Sequence, residues 1–364
     1  MDSSNCGGAD ARVPDSEHAV RLTIAITTRN RADMIGETLD SILPQLTNDV
    51  ELLVLDGAST DDTPGVISSY QARCPQLRYV RLETNHGPDR DFSRSVELAS
   101  GEYCWLMADD DFLRPGGVAA VLDALQRSPS LVIVNAEVRN ADMSQVLEPK
   151  RLEQETERSF EPAEWDDFFI HTASYLSFIG CVVIKRKIWV EREKEPYFGS
   201  LFIHVGVIFQ RPLPGTILVL PEPYISIRYG NAKWLPQQFE IWMLKWPALL
   251  WSFSSVSDEA KKAVTSSRRW REPDRLLFYR AQGAYSLTEY RQWVKPRAAS
   301  GWERMLGVAV GCIPPVVANT IAVIGCWVLR GKSVPGKAAP DMVLLDLKNS
   351  RHYLGNWLSR ARRA

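Results

Sequence analysis

The sequence predicts an α/β protein with a mostly parallel, open sheet and helices on both faces. Three observations support this prediction. Short apolar runs alternate along residues 21–135 with segments of helical periodicity. This β-α-β order is typical of parallel sheets with right-handed crossovers. Four of the runs are followed directly by a polar cluster, and open α/β sheets bind ligands at the carboxyl ends of their strands.

The elements are predicted in order from these runs. The second run is almost wholly apolar, which indicates a strand that is buried on both faces. Predicted strands are 21–28, 50–55, 77–82, 103–107 and 131–135, and predicted helices run to about residue 43, to about residue 73, over 91–99 and over 117–126. The polar clusters occupy residues 27–30, 56–61, 85–90 and 109–111. Because they share one edge of one sheet, we expect them to form a single site.

Composition excludes several classes of protein. The 364 residues carry a net charge of −1, so the chain has no general electrostatic attraction to nucleic acid. None of its six cysteines forms a Cys-x-x-Cys pair, which indicates neither a zinc site nor a disulfide framework. Residues 1–20 are polar and lack the apolar core of a signal peptide. We expect a disordered leader there and a globular part in the reducing cytoplasm.

The most informative cluster is the run of three carboxylates Asp109, Asp110 and Asp111 after the fourth predicted strand. Adjacent carboxylates repel one another unless a cation lies between them. A Mg²⁺ or Mn²⁺ ion would take carboxylate oxygens on one side and substrate phosphates on the other. The alternative is a solvated acidic turn that caps the next helix.

The other clusters suit a nucleotide. Asp56 ends the second strand, where a carboxylate can accept hydrogen bonds from a base or a ribose. Arg29 and Arg90 can neutralise phosphates. The sequence has neither a dinucleotide fingerprint nor a P-loop. Together these features predict the transfer of a group from a nucleotide.

Several of these stretches resemble family 2 glycosyltransferases of the GT-A fold. The resemblance is carried by residues 27–30, by 56–61, and by 101–103 leading to the acidic run and Pro115. Residues 87–92 are similar to the abequosyltransferase-like branch. The resemblance implies a nucleotide-sugar-binding set of Thr27, Thr28, Arg29, Asp56, Ser59, Asp89, Arg90, Asp109 and Asp110. It also implies that Asp111, with Asp109, holds the metal, although Ala108 stands where the family usually has its first acid.

The second half of the predicted domain should bind the acceptor. Strands are predicted at 177–184 and 217–224. The Glu-Asp pair that carries the general base in many family members is absent, so His204 is the candidate base; a structural histidine and catalysis through the donor phosphate are the alternatives. Arg228, Asn231 and Trp234 suit a sugar or a phosphate of the acceptor, or else a packed turn.

The C-terminal part predicts contact with a membrane surface. Aromatic residues at helical spacing over 239–246 indicate a core-facing stripe, with an acceptor groove or an interfacial belt as the alternative. Residues 306–329 carry no charge, but Pro314, Pro315 and Asn319 argue against one straight span. Residues 330–364 hold eight basic and two acidic residues with an amphipathic pattern, which suits an anionic membrane surface.

The predicted organisation begins with a leader (1–20) and a GT-A domain (21–235). This domain is divided into a nucleotide-sugar half (21–135) and an acceptor half (136–235). A helical tryptophan-rich extension (236–300) follows, and then an apolar hairpin or span with a basic tail (301–364). The expected activity is metal-dependent transfer of a sugar to a glycan or lipid-linked glycan acceptor at the inner face of the cell membrane. A sugar-phosphate nucleotidylyltransferase and a non-catalytic sugar-nucleotide-binding protein are the alternatives.

Overall fold

The computed structural model describes residues 20–231, 237–329 and 340–355. The predicted leader up to residue 19, Trp234, and residues 330–339 and 356–364 of the predicted tail lie outside the described residues. The described chain forms a ten-stranded sheet with helices packed on it, followed by a helical C-terminal region.

The strands follow the predicted apolar runs closely in the first half. They are β1 (Leu22–Thr28), β2 (Val50–Asp56), β3 (Leu77–Arg81), β4 (Tyr103–Met107), β5 (Phe112–Leu113), β6 (Leu131–Arg139), β7 (Val146–Glu148), β8 (Arg158–Phe160), β9 (Val182–Lys185) and β10 (Ile217–Arg228). The side chains of β1, β2, β4 and β6 are almost wholly buried, which explains why these strands are continuous apolar runs rather than alternating ones.

The sheet is mixed: the strands β1, β2, β3, β4, β6 and β10 run in one direction, and the others run antiparallel to their neighbours. Its order is β3-β2-β1-β4-β9-β6-β10-β5. The strands β3, β2, β1 and β4 are parallel, as predicted. The next strand, β9, runs antiparallel to both β4 and β6. It is also shorter than the predicted strand 177–184, because two 3₁₀ turns, Tyr175–Ser177 and Ile179–Cys181, take up its first part.

The helices lie between and after the strands. They are α1 (Ile35–Ile42), α2 (Thr63–Gln71), α3 (Pro88–Leu98), α4 (Gly117–Leu125), α5 (Trp165–Thr172), α6 (Arg186–Val190), α7 (Ile203–Phe209), α8 (Gln238–Glu240), α9 (Trp246–Ser252), α10 (Asp258–Val264), α11 (Pro273–Gln282), α12 (Leu287–Glu289), α13 (Gly301–Cys312), α14 (Pro315–Leu329) and α15 (Pro340–Asn349). Apolar side chains three or four residues apart face the sheet; on α1 these are Ile35, Leu39 and Ile42.

Two π-helical segments interrupt the C-terminal helices, Ile241–Lys245 between α8 and α9 and Tyr290–Val294 after α12. The predicted aromatic stripe over 239–246 is part of the core: Phe239, Met243 and Trp246 are buried. No single described helix is long and apolar enough to cross a bilayer, but α13 and α14, bent by 95° at the predicted proline break, pass the same length and composition test as a pair.

Candidate functional site

The carboxyl ends of β1, β2 and β4 meet at one edge of the sheet. Thr28 at the end of β1 is paired in register with Asp56 at the end of β2. On the other side of β1, Ile26 is paired with Met107, so the acidic run follows immediately beyond that edge. The tertiary structure therefore brings these three polar clusters together. Asn85 of the fourth cluster also lies near the loop after β2, because its Oδ1 is 3.7 Å from the position that a Cβ atom on Gly57 would take.

Asp56 is completely buried and its two carboxylate oxygens are fully engaged. Oδ1 accepts hydrogen bonds from the backbone N–H and the hydroxyl of Ser59, at 2.8 and 2.6 Å. Oδ2 accepts the hydroxyl of Tyr79 at 2.7 Å and lies 3.7 Å from Nε of Arg81. Burial, with the neighbouring Asp56 charge, raises the pKa of Tyr79, so the phenol stays a donor. Asp56 and Ser59 therefore shape this edge of the sheet by fixing the loop after β2.

Asn30 joins the loops that follow β1 and β2. Its backbone has a positive φ of 54°, a conformation that asparagine tolerates better than most residues. Its N–H donates to the hydroxyl of Ser59 at 2.9 Å, and its side-chain oxygen accepts the N–H of Thr60 at 2.7 Å. The neighbouring Arg29 is exposed at this edge, where its charge acts on Asp91.

Two buried oxygens at this edge have no hydrogen-bond partner within the described chain: the hydroxyl of Thr28 and Oδ1 of Asp91. Asp91 lies on the first turns of α3 and is only 6% exposed. A Cβ atom on Gly57 would lie 2.6 Å from its other oxygen, so the glycine after Asp56 leaves room for this carboxylate. Burial, together with the Asp56 charge, raises the pKa of Asp91 to about 6, against the opposing effect of His86 and Arg29.

Arg31 neutralises part of the acidic run. Its Nε lies 3.3 Å from an oxygen of Asp109, and its terminal nitrogen lies 3.2 Å from an oxygen of Asp110. Asp110 also accepts a hydrogen bond of 2.8 Å from the amide of Asn231. The sequence prediction missed Arg31 because Arg29, two residues earlier, belonged to the recognised motif. The second arginine of the Arg-x-Arg pattern was the available signal.

Asp111 is the most deeply buried of the three acids, at 3% exposed. Its Oδ1 accepts the backbone N–H of Arg228 at 2.8 Å, from the end of β10. Burial, and then the charges of Asp110 and Asp109, raise its pKa well above the usual value. Without a metal, burial and the neighbouring charges thus disfavour the charged form of this carboxyl, and a bound cation would relieve the repulsion.

Arg228 holds the acidic run in place rather than facing open solvent. Its Nε donates to the backbone carbonyl of Asp110 at 3.0 Å, and its terminal nitrogens bind the carbonyl of Ala141 and the carboxylate of Glu37. Its side chain is only 6% exposed. Arg228 and Asn231, both predicted to bind the acceptor, thus adjoin the acidic run, while the third predicted acceptor residue, Trp234, is outside the described part of the chain.

The predicted donor residues Asp89 and Arg90 contact the segment before α7. Asp89 accepts three backbone N–H groups, from Gly199, Leu201 and Ile203, at 2.8, 2.9 and 3.1 Å. Arg90 lies 3.0 Å from Glu195 and stacks on Phe198. Asp89 therefore clamps residues 199–203 of the acceptor half against the nucleotide-sugar half, which we also call the donor half. This role was not predicted.

The structure does not support His204 as an accessible general base. The ring is 2% exposed in the core, and its Nε2 lies 2.6 Å from the carbonyl oxygen of Leu176. Burial lowers the pKa of His204 to about 4, against the hydrogen bond to Leu176. The ring is therefore neutral at pH 7, and its Nε2 must carry the hydrogen that Leu176 accepts. An acceptor hydroxyl cannot reach it without rearrangement of the core.

Residues 23–180 match the family model Glycosyl transferase family 2. This part of the chain is a family 2 glycosyltransferase domain. The domain boundaries of the match enclose the whole edge formed by β1, β2 and β4 and stop before the clamp segment at 199–203. The remaining described residues, including α7 and the helical C-terminal region, lie beyond the match.

Two relatives and one solved structure extend the comparison. The abequosyltransferase RfbV of Salmonella typhimurium is 25% identical over 223 residues, which are 58% of this chain and 67% of that protein. A GalNAc(5)-diNAcBac-PP-undecaprenol beta-1,3-glucosyltransferase of Campylobacter jejuni is 28% identical over 142 residues, 38% of this chain and 46% of that protein. TarS residues 1–349 of S. aureus, solved with UDP-GlcNAc, superpose with a TM-score of 0.56 at 14% identity, covering 84% of this chain and 85% of that one. The superposition confirms the predicted GT-A fold.

Proposed function

We propose that this protein transfers a sugar from a nucleoside diphosphate sugar to a glycan acceptor in cell-surface polysaccharide synthesis. The observation that carries the proposal is the polar edge of the family 2 domain. There the buried oxygens of Thr28 and Asp91 have no hydrogen-bond partner among the described residues, although buried polar groups are normally paired. A bound nucleoside supplies such partners, since its base and ribose carry both donors and acceptors.

Each side chain at this edge has a role in that proposal. Thr27, Thr28 and Asp91 would contact the nucleoside, with Asp56 and Ser59 holding the loop beside it. Arg29 is exposed at this edge and would bind the phosphates. In the transfer step the acceptor oxygen bonds to the anomeric carbon, the bond to the diphosphate breaks, and the proton of the acceptor hydroxyl passes to the departing phosphate. Charge on that diphosphate then increases, so cationic groups beside it stabilise the transition state.

We also propose a divalent metal, Mg²⁺ or Mn²⁺, at the acidic run. No group of three metal-binding side chains converges in the described part of the chain. Mg²⁺ nevertheless usually binds through one or two carboxylates, with substrate phosphates and water as its other ligands. The buried, charge-crowded Asp111 fits this pattern, with Asp109 beside it. When bound, the ion would neutralise the diphosphate as it leaves, and Arg31, which pairs with Asp109 and Asp110, would add a positive charge beside them.

The acceptor is proposed to be lipid-linked and the protein to lie on the inner membrane face. Helix α14 supports this because its polarity is inverted: Asn319 is completely buried and donates to Ala281 and Leu347, whereas large apolar side chains face outward. The exposed apolar side chains of α13 and α14 are Trp302, Met305, Val308, Val316, Val317, Ile321, Ile324, Trp327 and Val328. Such an exposed apolar surface indicates an interaction site, and here we assign it to the lipid bilayer.

A nucleotide panel tests the donor and the metal together. The purified chain is heated with UDP, GDP, CDP and dTDP, each with and without Mn²⁺. We expect one nucleotide to raise the melting temperature, and Mn²⁺ to enlarge the increase. No stabilisation by any nucleotide would contradict a donor site. Release of pyrophosphate from a nucleoside triphosphate would instead favour a nucleotidylyltransferase.

A further inference from the structure

A pocket lies outside the family 2 domain, in the helical C-terminal region. It has a volume of about 530 Å³, within the range of ligand-binding clefts. Its walls come from three segments: residues 240–248, residues 267–270 and residues 293–299. None of the residues that we place in the donor site lines this pocket.

Both π-helical segments contribute to the walls of this pocket. Met243, Leu244 and Lys245 come from the first, and Trp293 comes from the second. A π-helix is rare and less favourable than an α-helix, and it occurs frequently at functional sites. Two of them facing one cavity indicate that the backbone is shaped around an occupant.

The charge of the pocket is positive. Lys245, Arg268 and Arg297 line it, with Glu240 as the one carboxylate among the lining residues. Glu240 lies 3.5 Å from Lys245 and offsets that charge. Arg268 and Arg297 are exposed, and neither guanidinium has an ion pair within the described residues. The pocket therefore presents two uncompensated cations that suit an anion.

The apolar part of the lining is aromatic. Trp270 is almost fully buried and Trp293 half-buried, and Arg297 lies 5.6 Å from the centre of the Trp293 ring. Indole faces bind sugar rings and apolar chains, whereas guanidinium groups bind phosphates bidentately. This combination favours a ligand in which a phosphate is bonded to an apolar or carbohydrate group over a free inorganic ion.

One side of the pocket adjoins the acceptor half. Lys245 is close enough to Asp89 for its charge to oppose the burial that raises the pKa of that carboxyl. Next to it, Trp242 and Trp246 pack on Phe202, with ring centres 5.6 and 4.6 Å apart. Phe202 belongs to the segment that Asp89 clamps. The pocket is thus joined to the donor half through one layer of side chains.

The other side adjoins the exposed apolar surface. Arg297 and Ala299 line the pocket, and α13 begins two residues later with Trp302, 65% exposed, on its first turn. Arg271, next to the Trp270 wall, forms an ion pair with Glu303 of α13. The pocket lies between the surface that we assign to the bilayer and the segment before α7.

We propose that this pocket binds the phosphate-bearing head of a membrane lipid, namely the lipid diphosphate that carries the acceptor glycan. This inference rests on the proposed function. Arg268 and Arg297 would bind the diphosphate, the indoles of Trp270 and Trp293 would contact the groups bonded to it, and the lipid chain would leave along α13 into the bilayer. The glycan would then extend toward the donor half past Lys245.

The test uses the full chain and vesicles of neutral phosphatidylcholine, with or without a few per cent of a long-chain prenyl diphosphate. Binding is followed by co-sedimentation. The pocket variant is Arg268→Ala/Arg297→Ala. The control is Arg291→Ala/Lys295→Ala, which removes the same charge from exposed residues of the neighbouring turn that do not line the pocket. We expect the prenyl diphosphate to increase binding to vesicles. In the pocket variant this increase should be at least tenfold smaller than in the unmodified protein. In the control variant it should differ by less than twofold.

Equal losses in the two double variants would overturn the proposal, because general attraction to charge would then explain the binding. An equal increase with vesicles that contain phosphatidylglycerol in place of the prenyl diphosphate would assign the pocket to bulk phospholipid and contradict the acceptor role. Competition by inorganic pyrophosphate at a similar concentration would contradict the lipid role. Nucleotide-dependent stabilisation, measured in each variant, reports on the donor site separately and distinguishes failure of this inference from failure of the proposed function.

Discussion

The clamp formed by Asp89 yields a quantitative prediction. Its carboxylate accepts the N–H groups of Gly199, Leu201 and Ile203. Asp89→Ala leaves these three donors without their partner. An unsatisfied buried donor costs about 1–3 kcal/mol, but only the N–H of Ile203 is buried, whereas Gly199 is exposed and Leu201 is half-buried. Burial raises the pKa of Asp89, so part of the gain from the hydrogen bonds is already offset in the native protein. Because water can also reach the N–H groups of Gly199 and Leu201 in the variant, we expect a loss of about 2–3 kcal/mol rather than the full sum.

The measurement is the denaturant midpoint, together with hydrogen exchange of residues 199–203. Asp89→Asn retains one acceptor oxygen and should lose about 1–2 kcal/mol. Arg90→Ala is the matched control on the next residue: its ion pair with Glu195 is exposed, so the change should stay below about 1 kcal/mol. The three amides should exchange faster in the Asp89 variants and not in the control.

Two results would refute this reasoning. Unchanged exchange at 199–203 in Asp89→Ala would mean that the three hydrogen bonds do not hold the segment. A loss of nucleotide affinity beyond tenfold in Asp89→Asn, at unchanged stability, would place Asp89 in the donor site, as the sequence resemblance implied. The expected change in nucleotide affinity for this variant is below threefold.

The remaining predictions concern charge and burial. Asp111→Asn should reduce transfer by more than about 100-fold and remove the effect of Mn²⁺ on nucleotide binding. Its melting temperature without metal should be unchanged or higher, because the raised pKa of Asp111 means that the charge of this carboxylate destabilises the fold. Full turnover in EDTA would contradict the metal role. Asp91, with its pKa raised to about 6, contributes stability that is present at pH 4 and lost as the pH rises through 6. The loss is at most about 3 kcal/mol in the free energy of unfolding. In Asp91→Asn the free energy of unfolding should therefore change less between pH 4 and pH 6. His204, with its pKa lowered to about 4, contributes stability that is present above pH 6.5 and lost as the pH falls toward 4. The variant His204→Gln should keep more than about a tenth of the transfer rate. A loss above 1,000-fold at unchanged stability would instead identify the histidine as the general base. Trp302→Ser/Trp327→Ser should weaken binding to neutral vesicles by about tenfold without changing nucleotide affinity, since both indoles are more than half exposed.

The sequence determined the order of the strands and helices in the first half and the position of the acidic run. Apolar runs 50–55 and 103–107 are local patterns, and a buried parallel strand requires such a run whatever its neighbours are. Asp56 and Asp111 were predicted as site residues from the same kind of local pattern, since one ends an apolar run, the other belongs to the acidic run that follows one, and each matches a short motif. The direction of β9 was not predictable, because strand pairing depends on residues that are far apart in the sequence.

The tertiary structure decided how the polar residues are used. Asp56 and Asp89 are both carboxylates at the edge of the site, but one is fully bonded to Ser59 and Tyr79 and the other clamps the segment before α7. Asp91 lies within the recognised stretch 87–92 but was not among the predicted site residues, and it has a buried oxygen without a partner among the described residues. Whether a carboxylate binds a ligand or its own backbone depends on which donors lie within about 3 Å of it. Some of those donors come from distant segments, as with Asp89 and Ile203, which are 114 residues apart, and only folding brings them together.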